Sequence, residues 1–129
     1  MLKFLMVCNE KSLSGIYDHL KNYSDIEVSW SHSASDALEL IKDVPFDLVI
    51  IDKQIDDIDG IDFCKKIVSV NPMVNCSIAG SLPKKEFHEK TEGLGVMGQL
   101  KDETAKDDLE KIIKTLKKII DQTKNLIKK

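Results

Sequence analysis

Five short apolar runs, each followed by a stretch with helical spacing, restrict this chain to few architectures. The strongest run is Leu48-Val49-Ile50-Ile51, four large aliphatic residues in a row. A strand with one wet face would alternate apolar and polar residues. An unbroken run suits a parallel strand buried on both faces. This central strand spans Asp47–Asp52. Leu2–Val7 precedes it as a first strand and Ile26–Trp30 as a second, and Met73–Ala79 and Gly95–Leu100 follow as the fourth and fifth.

Helices fill the intervals. Leu13, Ile16, Tyr17 and Leu20 mark one face of the first. Ala34, Ala37, Leu38 and Ile41 mark the second, with Ser33 or Ser35 as its cap. Pro45 closes that region. The third begins near Ile61, carries Cys64, Ile67 and Val68, and stops before Asn71-Pro72. Gly80 to Glu92 holds a loop and a poorly amphipathic helix. From Thr104 or Ala105 a long last helix places Leu109, Ile112, Ile113, Leu116, Ile119, Ile120, Thr123, Leu126 and Ile127 on one stripe. Such alternation, without repeats or low-complexity tracts, predicts an α/β domain: a parallel sheet, right-handed crossovers and helices on both faces.

At 129 residues the chain is expected to form one domain, 1–129, with a proper core. A hydrophobic content of 42% and a charged content of 32% describe a soluble protein. A net charge of −3 argues against a nucleic-acid partner, which would favour clustered Lys and Arg. No apolar stretch is long enough for membrane insertion, and Leu2–Cys8 lacks the small-residue cleavage site of a signal peptide. Cys8, Cys64 and Cys76 are odd in number and lack metal-type spacing, so they read as reduced thiols of a cytoplasmic protein.

In an open parallel sheet the ligand crevice lies at the carboxyl ends of the strands. Cys8, Asn9, Glu10 and Asp52 therefore share one site. The bland reading of Asp52 is a strand-end turn residue. Asp56, Asp57 and Asp59 fail as a calcium loop, since that register needs acids at Ile55 and Lys66. They read as a solvated loop, with Asp56 near the mouth of the site. Asn9-Glu10-Lys11-Ser12 is a poor phosphate cradle, which disfavours a flavodoxin-type small-molecule binder.

Pro45-Phe46-Asp47-Leu48-Val49-Ile50-Ile51-Asp52 with the later Asp59-Gly60 turn, Ala34-Ser35-Asp36-Ala37-Leu38, Gly95-Val96-Met97-Gly98 and Lys101 carry a family likeness. Over nearly its whole length the chain resembles the receiver domain of bacterial two-component response regulators. The resemblance implies a flavodoxin-like (βα)5 three-layer sandwich with strand order 2-1-3-4-5. It implies that Asp52 takes a phosphoryl group from a donor histidine, becoming an aspartyl phosphate, while Lys101 contacts the phosphoryl oxygens. Mg²⁺ would be held by Asp52, an acidic pair after strand one and the backbone carbonyl of Gln54. That acidic pair aligns with Cys8 and Asn9, neither charged, and Glu10 lies one residue later. The family's Thr or Ser falls on Ala79 or Gly80, with Ser81 close by, and its aromatic switch falls on Gln99. Mg²⁺ is therefore expected to bind weakly or not at all.

Two functions remain open. One is a stand-alone phosphoacceptor in a His–Asp relay, served by a sensor histidine kinase or phosphotransfer protein and read out by a downstream protein target. The other is a pseudo-receiver, not phosphorylated, that acts as a constitutive interaction module. Neither is an enzyme. The last helix, about 105–128, should reach about 36 Å, whereas a strand of five or six residues spans about 17–20 Å. Its apolar stripe thus overhangs the sheet and suggests a homodimer through that helix.

Overall fold

A computed structural model of the chain describes residues 1–8, 13–101 and 104–127, for 123–127 the backbone alone. The sheet strands are β1 (Leu2–Val7), β2 (Ile26–Ser31), β3 (Leu48–Ile51), β4 (Cys76–Ala79) and β5 (Val96–Leu100). The helices are α1 (Ser14–Leu20), α2 (Ala34–Asp43), α3 (Gly60–Val70), α4 (Lys84–Thr91) and α5 (Ala105–Ile127). All neighbouring strands are parallel, in the order β2-β1-β3-β4-β5. This is the flavodoxin-like topology the alternation and resemblance predict.

Alternate residues of the strands divide the core in two. Phe4, Met6, Leu48 and Ile50 pack with Ile16 and Leu20 of α1 and Leu109, Ile112, Ile113 and Leu116 of α5. Leu5, Val7, Val49 and Ile51 pack with Ala37 and Ile41 of α2 and Phe63, Cys64 and Ile67 of α3. The central run is aliphatic throughout because both its faces are covered. In α5, burying each of Leu109, Ile112, Ile113 and Leu116 is worth about 1.5–3 kcal/mol. Beyond Leu116, Ile119 is 45% exposed while Ile120 is partly buried against the same cluster; the side chains of Thr123, Leu126 and Ile127 lie outside the described residues.

Two details depart from the sequence pattern. The fourth strand starts at Cys76 rather than Met73, because Asn71 turns the chain first. Its Oδ1 accepts the Met73 N–H (3.0 Å) and its carbonyl the Val74 N–H (3.3 Å), leaving Met73 85% exposed. The segment after Asp52 is also ordered rather than a plain loop: Gln54–Ile55 pairs antiparallel with Ile58–Asp59 as a small hairpin.

Candidate functional site

Asp52 leaves the end of β3 beside the end of β1, its N–H donating to the Val7 carbonyl at 3.0 Å. The residue is 7% exposed, and its Oδ1 accepts the Lys53 N–H at 2.8 Å. A carboxylate so placed is held at the strand-end crevice by the strand itself. Gly60 lets α3 start close behind it. A Cβ at that position would run into the Asp52 carbonyl oxygen and lie 3.1 Å from Ile78 Cγ2.

The hairpin holds the next residues. Gly60 N–H donates to the Lys53 carbonyl (2.9 Å), and Gln54 faces Asp59. In an antiparallel ladder closely and widely spaced pairs alternate, so Gln54, next to that bonded pair, turns its carbonyl away from Asp59. Two of the three acids of this segment are not merely solvated, while Asp57 is exposed as the sequence reading has it. Asp59 caps α3, its Oδ2 accepting the Ile61 N–H at 3.0 Å. Asp56 sits at φ 53° and accepts the Ala34 N–H on its Oδ2 at 3.1 Å, joining Ser33 in capping α2. Asp and Asn tolerate that left-handed backbone better than most residues.

On the β1 side, Cys8 is fully buried within the α1–α5 half of the core. Its carbonyl lies 3.1 Å from His32 Nδ1, a contact in which the imidazole nitrogen donates. Asn9 and Glu10 lie outside the described residues. The described residues alone fit Mg²⁺ poorly: one carboxylate at Asp52, one backbone carbonyl at Gln54, and a thiol buried among apolar side chains at Cys8. A hard, octahedral cation asks for more oxygen ligands than that. Among the described residues no three His, Cys, Asp or Glu side chains cluster as a metal site.

At the far side, Ala79 brings only a methyl group to the end of β4. Lys101 follows β5 directly, and its exposed side chain lines a groove between α4 and β5. Its N–H donates to Asp108 Oδ2 (3.1 Å), which also accepts from Thr104 Oγ1 (2.9 Å) at the start of α5. Gln99, by contrast, makes a two-point contact with the loop after β4. Its Oε1 accepts the Leu82 N–H and its Nε2 donates to the Leu82 carbonyl, both at 3.0 Å. A lone amide on a half-buried strand between Gly98 and Leu100 was the only sequence signal for this contact.

The sequence profile of the response regulator receiver domain matches residues 5–114. The chain belongs to the response regulator receiver domain family. Solved receivers share its fold. A receiver domain protein from Clostridium thermocellum superposes with a TM-score of 0.77 at 21% identity, over 98% of this chain and 99% of that one. A CheY-like receiver from Methanospirillum hungatei JF-1 gives 0.76 at 18% identity, over 95% and 98%. The signal receiver domain of a putative Luxo repressor protein from Vibrio parahaemolyticus gives 0.78 at 19% identity, over 99% and 98%. No curated protein sequence matches. Receivers are signalling modules of two-component systems, and among the described residues no helix is long and apolar enough to cross a membrane.

Proposed function

We propose that this receiver accepts a phosphoryl group on Asp52 and signals by binding another protein. The observation that carries the reading is the carboxylate itself, fixed at the end of β3 and oriented by the Lys53 N–H. In the transfer a carboxylate oxygen of Asp52 bonds to phosphorus as the phosphorus–nitrogen bond to a donor histidine breaks, and the nitrogen keeps the electron pair. Lys101, at the end of β5, is the cation of the family's pattern, and its ammonium would offset phosphoryl charge. The donor is a sensor histidine kinase or a phosphotransfer protein.

The readout is assigned to the groove between α4 and β5, a volume of about 700 Å³. Phe87, Val96 and Met97 line it, and Lys84, Lys85 and His88 stand around it. Apolar lining with basic surroundings suits a partner segment carrying acidic and apolar side chains.

A second reading, the unphosphorylated interaction module, is favoured by Cys8, buried and uncharged where the family carries an acid, and by the methyl of Ala79. Incubation with a small-molecule phosphodonor and Mg²⁺, followed by intact mass, separates the two. The first reading expects one phosphate on the wild type and none on Asp52→Asn. Label persisting in Asp52→Asn would refute the assignment to Asp52. An unmodified wild type, under conditions that label an ordinary receiver, would establish the second reading.

A further inference from the structure

Residues 80–83 join β4 to α4, and the loop's middle is paired to β5 by a side chain instead of a backbone. The Gln99 carboxamide offers a donor and an acceptor with the spacing of a peptide group. It meets both the N–H and the C=O of Leu82, at 3.0 Å each. Gly80 makes room for this arrangement, since a Cβ there would stand 3.0 Å from Gln99 Oε1. The two ends of the loop are also tied, Gly80 N–H to the Leu100 carbonyl (3.1 Å) and Phe87 N–H to the Pro83 carbonyl (2.9 Å).

Gln99 also lines two separate cavities. One is the α4–β5 groove. The other, about 280 Å³, opens between the loop after β3 and the loop after β4, where Lys53, Asp59 and Ile61 face Gly80, Ser81 and Leu82. Gln99, together with Phe87, thus stands between the groove and this second cavity beside the end of β4.

We propose that Gln99 is a positioning residue that clamps loop 80–83 in one conformation and so sets the shape of the groove in the unphosphorylated protein. The inference goes beyond phosphorylation: it concerns the protein before Asp52 is modified and holds under either reading of Asp52. It rests on chemistry at hand: Ala79, at the strand end between Asp52 and the loop, has no hydroxyl to exchange partners with, and Gln99 already satisfies both polar groups of Leu82. A receiver built this way presents a preformed α4–β5 surface before any phosphoryl transfer.

Amide hydrogen exchange of Leu82, measured by NMR on the full chain, tests this. In Gln99→Ala the Leu82 protection factor should fall about tenfold, on the scale of one net hydrogen bond, while that of Ile50 in β3 holds. Gln99→Glu supplies a reading that lost packing would not produce. A carboxylate cannot donate to the Leu82 carbonyl, whereas a protonated carboxyl restores both contacts. Protection in Gln99→Glu should therefore be low near neutrality and recover as the pH falls through the ordinary Glu range, about 4.3. Asp52→Asn should leave Leu82 protection as in the wild type. Unchanged protection in Gln99→Ala, a pH-insensitive Gln99→Glu, or a loss in Asp52→Asn would each overturn the proposal. If Gln99→Ala does not fold, Gln99→Met keeps the side-chain length without the amide and is read the same way.

Discussion

Replacing Gly60 by alanine tests how closely α3 approaches the phosphoacceptor strand. The added methyl would collide with the backbone carbonyl oxygen of Asp52 and press on Ile78 Cγ2 at 3.1 Å. A side chain could rotate away; a strand-end carbonyl, whose residue is tied by its N–H to Val7, cannot do so without moving β3 or α3. Overpacking of this kind costs about 1–3 kcal/mol. Against it stands the helix preference of alanine over glycine, worth up to about 1 kcal/mol in a helix interior and less at the first residue of α3. The net expectation is a loss of about 1–2 kcal/mol, or a fall in Tm of roughly 4–10 °C for a chain this size. Gly15, the second residue of α1, is the matched control, because no heavy atom lies within 4 Å of its added Cβ. Gly15→Ala should instead stabilise by about 0.5–1 kcal/mol. Urea unfolding followed by far-UV circular dichroism measures both. If Gly60→Ala equalled or exceeded the wild type, or both variants shifted in the same direction, the close approach would be wrong.

Three further expectations follow from local contacts. Asp56→Ala loses the acceptor for the Ala34 N–H and leaves a residue without a polar side chain at φ 53°, so it should destabilise by about 1–2 kcal/mol; Asp56→Asn keeps both features, and equal urea midpoints for the two variants would sink this account. Asp25 accepts from Lys117 Nζ at 2.8 Å, and that hydrogen bond holds its carboxyl below the ordinary value against a smaller opposing effect of desolvation. A depressed folded-state pKa means the contact favours the fold above the ordinary carboxylate value and is lost as pH falls through the lowered one; in Lys117→Met the NMR titration midpoint of Asp25 should rise, and an unmoved midpoint would dismiss the pairing. Self-association through α5 should appear by sedimentation equilibrium of the full chain and weaken on truncation after Ile120, whereas a full-length monomer at high micromolar concentration would count against it.

The parallel β-α alternation and the place of Asp52 were legible because both depend on local patterns, whereas the strand order came from the family resemblance. Leu48–Ile51 can be continuous only where two layers cover it, and the residue after such a strand falls in the crevice whatever its neighbours do. Ser33 could be read as a cap because its partner, the Asp36 N–H, is three residues away. The second cap of α2 could not be read: Asp56 is 22 residues from Ala34, and only the folded β3–α3 connection brings them together. The hairpin at 54–59 escaped for a related reason, since two-residue strands leave no periodicity to detect. Gln99 was legible as a departure from an aromatic position, but its role depends on a loop conformation that Gly80-Ser81-Leu82-Pro83 alone does not dictate.

The division of the core into two layers gives the protein a pair of native chemical clocks. Cys8 lies in the α1–α5 layer, Cys64 and Cys76 lie in the α2–α3 layer, and all three thiols are fully buried. The Cys76 thiol is held above its ordinary pKa by its hydrogen bond with Cys64 and by burial, which keeps it from reacting as a thiolate in the closed state. An alkylating reagent can reach any of them only when its layer opens, so each labelling rate reports the opening free energy of one side of the sheet. Peptide-resolved labelling of the unmutated chain would therefore show whether binding at the α4–β5 groove or at the crevice stiffens one layer and leaves the other to breathe.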